Sequence, residues 1–229
     1  MLRIIFIRSL CASGYAGFLF SEKLCLFAAK PRNNPILSES CQEVYTIDSL
    51  QAQIGSLKED LLKMGSLLQE QICRANRSLA EKNMELAWEV IEKDDILDQM
   101  ELDIEQKCLH LIALKQPLAK DLRFIGTALR IIVDIERMGD HAESLSRIAI
   151  DLYEQPYMKP LIDIPKMAGI AQEMVVVAMK AFVDGDVERA MSLVDMEKQV
   201  DTLYDEVFRE LLSYMMRDQG HIPQGTALL

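Results

Sequence analysis

The 229 residues are half hydrophobic but only 6% aromatic, with ten glycines and seven prolines. That gives room for a sizeable core and few turn or strand formers, so the composition predicts a mostly helical protein. A formal net charge of −11 repels nucleic acid and anionic lipid alike, and leaves metal ions or basic protein surfaces as natural partners.

Thirteen methionines fit the helical reading, because flexible thioether side chains fill gaps between helices. The five cysteines are Cys11, Cys25, Cys41, Cys73 and Cys108. Their odd number and the absence of any C-x-x-C spacing point to a reducing compartment rather than to a disulfide framework.

Residues 1–45 are apolar and basic in places, but Arg8 and Lys23 cut the apolar run into pieces. Neither a clean signal-peptide core nor a bilayer span results. The segment is expected to be disordered or a mis-assigned start.

From Ile47 the pattern changes. Ile47, Leu50, Ile54, Leu57, Leu61, Met64, Leu68 and Ile72 recur at spacings of three and four, which predicts an amphipathic helix to about Leu79. A second helix is expected from Met84 to Leu114. Pro117 then suits the first turn of a third, running to about Tyr153. The three prolines of "EQPYMKPLIDIP" (154–165) mark a linker. A fourth helix is predicted over about 166–183, and a fifth from the "DGD" turn to about Arg217. The closing "QGTALL" reads as a helix just beginning.

The order repeats. A shift of 103 residues lays "AEKNMELAWEVIEKDDILD" (80–98) on "VDGDVERAMSLVDMEKQVD" (183–201), pairing Asp94 with Glu197 and Asp98 with Asp201. "GTALR" (126–130) meets "GTALL" (225–229) at a slightly smaller shift. The expected fold is therefore all-α: two tandem three-helix units, the first over 46–155, the second over 156–229 and ending before its last helix.

Acids interrupt the apolar stripes. In "RIIVDIERMGDHAES" (130–144), a helical wheel centred on Glu136 puts Leu122, Ile125, Leu129, Ile132 and Val133 within roughly 60°. Asp140 and Glu143 share that sector, while Asp134, Arg123, Arg130 and His141 fall opposite. Around Asp94 lie Ala87, Val90, Ile91, Cys108, Leu109 and Ile112, together with Asp98, Glu101 and Glu105. Glu197 and Asp201 share a face with Ala190, Leu193, Val194, Phe208, Leu211 and Leu212. Three helices thus each carry acid-x-x-x-acid on the side predicted to be buried.

Like charges at that spacing repel, and carboxylates taken out of water are costly unless paired. Arg147 is the main basic candidate nearby. The other remedy is a cation: carboxylates converging from two helices make an oxygen-rich site for a hard metal. The pairs selected as ligands are Asp94/Asp98, Glu136/Asp140 and Glu197/Asp201. His141 reads as a surface or capping residue, His110 and His221 as incidental, and Trp88 as packing at a bundle or dimer surface. Cys73 and Cys108 read as small core residues.

"QPLAKDLRFIGTALRIIVDIERMGDHAESLSRIA" (116–149) and "EVIEKDDILDQMELDIEQKCLHLIALKQP" (89–117) closely resemble the signature of the PhoU family of phosphate-signalling accessory proteins. The resemblance implies an all-α protein of two repeated three-helix bundles, cytoplasmic and often dimeric. It implies regulation of phosphate uptake through contacts with the Pst ABC transporter, at its ATPase, and with a PhoR-type sensor kinase. It also implies that the three acid pairs bind divalent or trivalent metal (Fe, Mn, Mg or Zn). The family's fourth acid motif has no counterpart here.

Two other classes compete. A carboxylate-bridged di-metal oxidase wants Glu-x-x-His on two helices, and no histidine here follows a glutamate at that spacing. A purely structural helical repeat would leave the acids merely wetted. No phosphate-cradling Gly-rich loop is present to support nucleotide hydrolysis, so no enzymatic activity is expected.

Overall fold

The computed structural model describes residues 39–229; the predicted irregular start over 1–38, with Cys11 and Cys25, lies outside them. Among the described residues there are helices and turns but no strand. The elements are α1 (Glu39–Glu81), α2 (Met84–Glu92), α3 (Asp94–Lys115), α4 (Ala119–Asp151), α5 (Asp163–Asp184), α6 (Val187–Arg217), a 3-10 turn (Gln219–His221) and α7 (Ile222–Leu228).

α1 packs against α2, α3, α4 and α5. Its stripe Leu57, Leu61, Met64 and Leu68 is wholly buried. At 43 residues it is about 65 Å long. α3 runs back along it: Lys107 donates to Ser56 Oγ at 2.6 Å and Asp60 Oδ2 at 2.5 Å. α4 runs parallel to α1 and supplies Ile125, Ala128, Ile131, Ile132, Ile135 and Ala142 to the same core.

α5 lies antiparallel on another side of α1. Asn76 Nδ2 donates to Pro165 O near one end, and Lys58 Nζ donates to Val183 O at 2.8 Å near the other. Phe124 of α4 stacks on Phe182 of α5 with ring centroids 4.8 Å apart. α6 then packs on α5.

The internal repeat is visible in burial and capping. Ile72/Val175, Ala75/Ala178, Leu79/Phe182, Val90/Leu193, Ile104/Val207 and Cys108/Leu211 are buried pairs at the 103-residue offset. Asn83 caps α2 by accepting from Leu86 N, and its counterpart Asp186 caps α6 by accepting from Arg189 N. Such caps satisfy a backbone N–H that has no partner inside the helix. Between the units, residues 152–162 are tied down. Tyr157 donates to Leu79 O at 2.6 Å, Met158 N donates to Gln224 Oε1 at 2.7 Å, and the buried Lys159 pairs with Glu210.

The structure revises several sequence expectations. α1 begins eight residues before Ile47, so 39–45 are helical rather than part of an irregular start. α4 begins at Ala119, two residues after Pro117. The helix expected over 84–114 is two helices, broken at Lys93 (φ −96°, ψ 0°). Aspartates compete with helical hydrogen bonding and favour first turns, so Asp94 and Asp95 start a new helix better than they continue one. The break re-phases α3. Its buried row is Leu97, Ile104, Cys108 and Leu111, and Leu109, expected inside, is exposed. Cys108 is buried as expected, while Cys73 is only half-buried.

Asp134, expected on the outer face of α4, is only 7% exposed. Leu122, Phe208 and Leu212, expected inside, are exposed. A wheel centred on Glu136 sets the inner face of α4 about one residue off. The buried row runs through Ala128, Ile131, Ile132, Ile135, Gly139 and Ala142, and the acids stand beside it.

Candidate metal centre

The acids border the core rather than sit in its middle. On α4, Glu136, Asp140 and Glu143 each follow a buried residue (Ile135, Gly139, Ala142) by one position, about 100° round the helix. On α3, Asp98 and Glu105 follow Leu97 and Ile104 in the same way. Because α3 and α4 pack together in opposite directions, these two border rows meet along one seam. Asp94, Asp98 and Asp140 bring carboxylate oxygens within 4.8 Å of one another.

Gly139 permits the approach. A Cβ there would lie 2.7 Å from Leu97 Cδ1, 3.4 Å from Gln71 Oε1 and 3.5 Å from Asp94 Oδ1. With any larger residue there, Leu97 or α3 itself would have to give way.

The seam is electrostatically crowded. Desolvation, then Glu143, Asp98 and Asp140, push the Asp94 carboxyl up to about 6. Burial and Asp140 raise Asp98. Burial and Glu105 raise Glu101. Glu136 is raised by burial and then by Asp140, Glu101 and Asp98, with Arg137 opposing. Arg147 pairs with Glu143 at the end of the row.

The predicted residues therefore divide. Asp94, Asp98 and Asp140 come together, and Glu136 joins their row, half-buried. Asp140 is more exposed than the wheel implied. Glu197 and Asp201 stand half-buried on α6, and among the described residues no third acid joins them at comparable spacing. Glu101 and Glu143 belong to the seam as well; both shared the wheel sectors of the selected pairs. Gln71 was missed. Its signal was a polar residue in the row Leu57, Leu61, Met64, Leu68, Gln71 and Ala75, where every other member is apolar.

The donors are hard oxygens, without histidine or thiolate. They suit Mg, Mn or Fe better than a softer ion. Cys108 is excluded from such a role, since its thiol is buried in the core and pushed up to about 11.

Comparison with known proteins places the fold. The model of the PhoU domain matches residues 61–149 and 164–229. The chain belongs to the PhoU family. The two matched PhoU segments fall on the two helical units, on either side of the 152–162 connection. The PhoU homolog of Aquifex aeolicus, a phosphate-specific transport system accessory protein, is 40% identical over 176 residues, covering 77% of this chain and 80% of that protein. The PhoU accessory protein of Escherichia coli is 30% identical over 172 residues, covering 75% and 71%. The crystal structure of PhoU from Pseudomonas aeruginosa superposes with a TM-score of 0.74 at 34% identity, covering 78% of this chain and 86% of that one.

Proposed function

We propose that this chain is a non-enzymatic accessory regulator of phosphate-specific transport. It acts as a cytoplasmic, homodimeric adaptor between the transporter's ATPase and a PhoR-type sensor kinase, and represses uptake and signalling when phosphate is plentiful. The observation that carries the reading is the 40% identity with a relative named as a transport accessory protein. No described helix is long and apolar enough to cross a membrane, which is compatible with docking to a transporter rather than spanning beside it. Pull-down with the transporter ATPase and the kinase tests the adaptor role: capture of both supports it, and capture of neither returns the chain to a structural helical repeat.

In this reading Asp94, Asp98, Glu136 and Asp140 hold a hard cation, which offsets their mutual repulsion. Glu197 and Asp201 are the corresponding pair of the second unit. Elemental analysis of purified protein should find metal that is lost in the Glu136→Ala/Asp140→Ala variant. Equal metal in both proteins would sink the ligand assignment.

A further inference from the structure

Gln71 lies on α1, outside the two helices that carry the acids. It is 2% exposed. Its Nε2 donates to Lys93 O at 3.1 Å, the carbonyl that also accepts from Ile96 N at the helix break. That bond fixes which end of the amide faces the site. Oε1 has no hydrogen-bond partner among the described residues, and it borders the same small space as Asp94 Oδ1: the two oxygens lie 3.4 and 3.5 Å from the point a Gly139 Cβ would occupy.

A buried amide oxygen without a partner is destabilising, so the fold alone does not account for it. The second unit supplies a comparison. The position equivalent to Gln71 is Met174 and that equivalent to Lys93 is Met196. There α6 runs unbroken from Val187 to Arg217. The polar residue on the first helix and the break in the second occur together in one unit and are absent together in the other.

We propose that Gln71 is a positioning residue of the carboxylate site: from α1 it holds the break that starts α3 at Asp94, and it presents Oε1 as a neutral acceptor for water carried by a bound hard cation. The inference rests on the reading of the acids as a cation site. It also makes the two units unequal, with the Asp94 side binding more tightly than the Glu197 side.

Calorimetric titration with Mn2+ alone, together with thermal melts in chelator, tests this on the full chain. Loss of an outer-shell partner of this kind weakens metal binding roughly 10- to 100-fold. Gln71→Met, which copies the second unit, should therefore weaken Mn2+ binding by that factor while the chelator melt holds or rises. Gln71→Glu, which keeps an oxygen at the site but gives up the bond to Lys93 O, should retain more of the original affinity than Gln71→Met; affinity no better than that of Gln71→Met would overturn the acceptor role of Oε1. Unchanged Mn2+ affinity in Gln71→Met, with binding still abolished by Asp140→Asn, overturns the role of Gln71 and leaves the cation site standing. Absence of Mn2+ binding in the original protein overturns both.

Discussion

At the scale of single residues, Asp94 holds the clearest pH signature. Its folded value of about 6 stands above the ordinary 3.8, so between those values the folded state holds a proton that the unfolded state has released. Stability of the metal-free protein then falls as pH rises through that window. After discounting for solvent screening the effect is about 1 kcal/mol, or about 2–4 °C in Tm for a chain of this size. Melts in chelator should therefore give a higher Tm at about pH 5 than at about pH 7.5, and Asp94→Asn should flatten the trend. A steeper fall on acidification instead would mean that Asp94 is already compensated. Asp94 and Asp98 were legible because they recur at one offset in a duplicated sequence, and Glu136 and Asp140 because their helical spacing sets them in the sector of an apolar stripe. Their depth was not: a wheel gives angles about one axis, while burial depends on which neighbours close over each side, and Asp134 and Asp140 exchanged places for that reason.

At the scale of elements, the meeting of α3 and α4 depends on the missing side chain of Gly139. Gly139→Ala adds helix propensity of up to about 1 kcal/mol but drives a Cβ to 2.7 Å from the fully buried Leu97. Overpacking costs about 1–3 kcal/mol, so a net loss of about 1 kcal/mol is expected, with weaker metal retention. Gly126 shares the helix but has nothing within 4 Å of its Cβ position, and Gly126→Ala should stabilise by up to about 1 kcal/mol. Urea unfolding of both variants checks the pair; equal signs would remove Gly139 from its spacing role. Helix order and most boundaries could be read from three-and-four periodicity and the Pro-rich connection. The Lys93 break could not, because the residue that stabilises it, Gln71, is 22 positions away in sequence.

At the scale of the whole molecule, the two units share α1. Leu57, Leu61, Met64 and Leu68 sit in the same buried cluster as Val175, Met179 and Phe182 of α5. Phe182→Ala removes the ring stacked on Phe124 and should cost about 3 kcal/mol or more. Since no separate core isolates α5, the loss should appear as one shifted transition with matching calorimetric and van't Hoff enthalpies. Two resolved transitions would show that the units melt independently. The duplication was visible in the sequence, but its internal packing was not, because a repeat reports similarity between units and says nothing of the face they share.

That shared helix bears on how such a chain can be inherited and dissected. A duplication that yields two free-standing modules leaves a seam where recombination can exchange one half for another. Here the 152–162 connection offers no such seam: a cut there strips the face of α1 that α5 covers and leaves α5 without its floor. Any replacement for residues 163–229 must bring a helix fitted to Gly65, where a Cβ would already meet Met179 Cγ at 2.8 Å. The halves arose as copies, yet they are now constrained to change together.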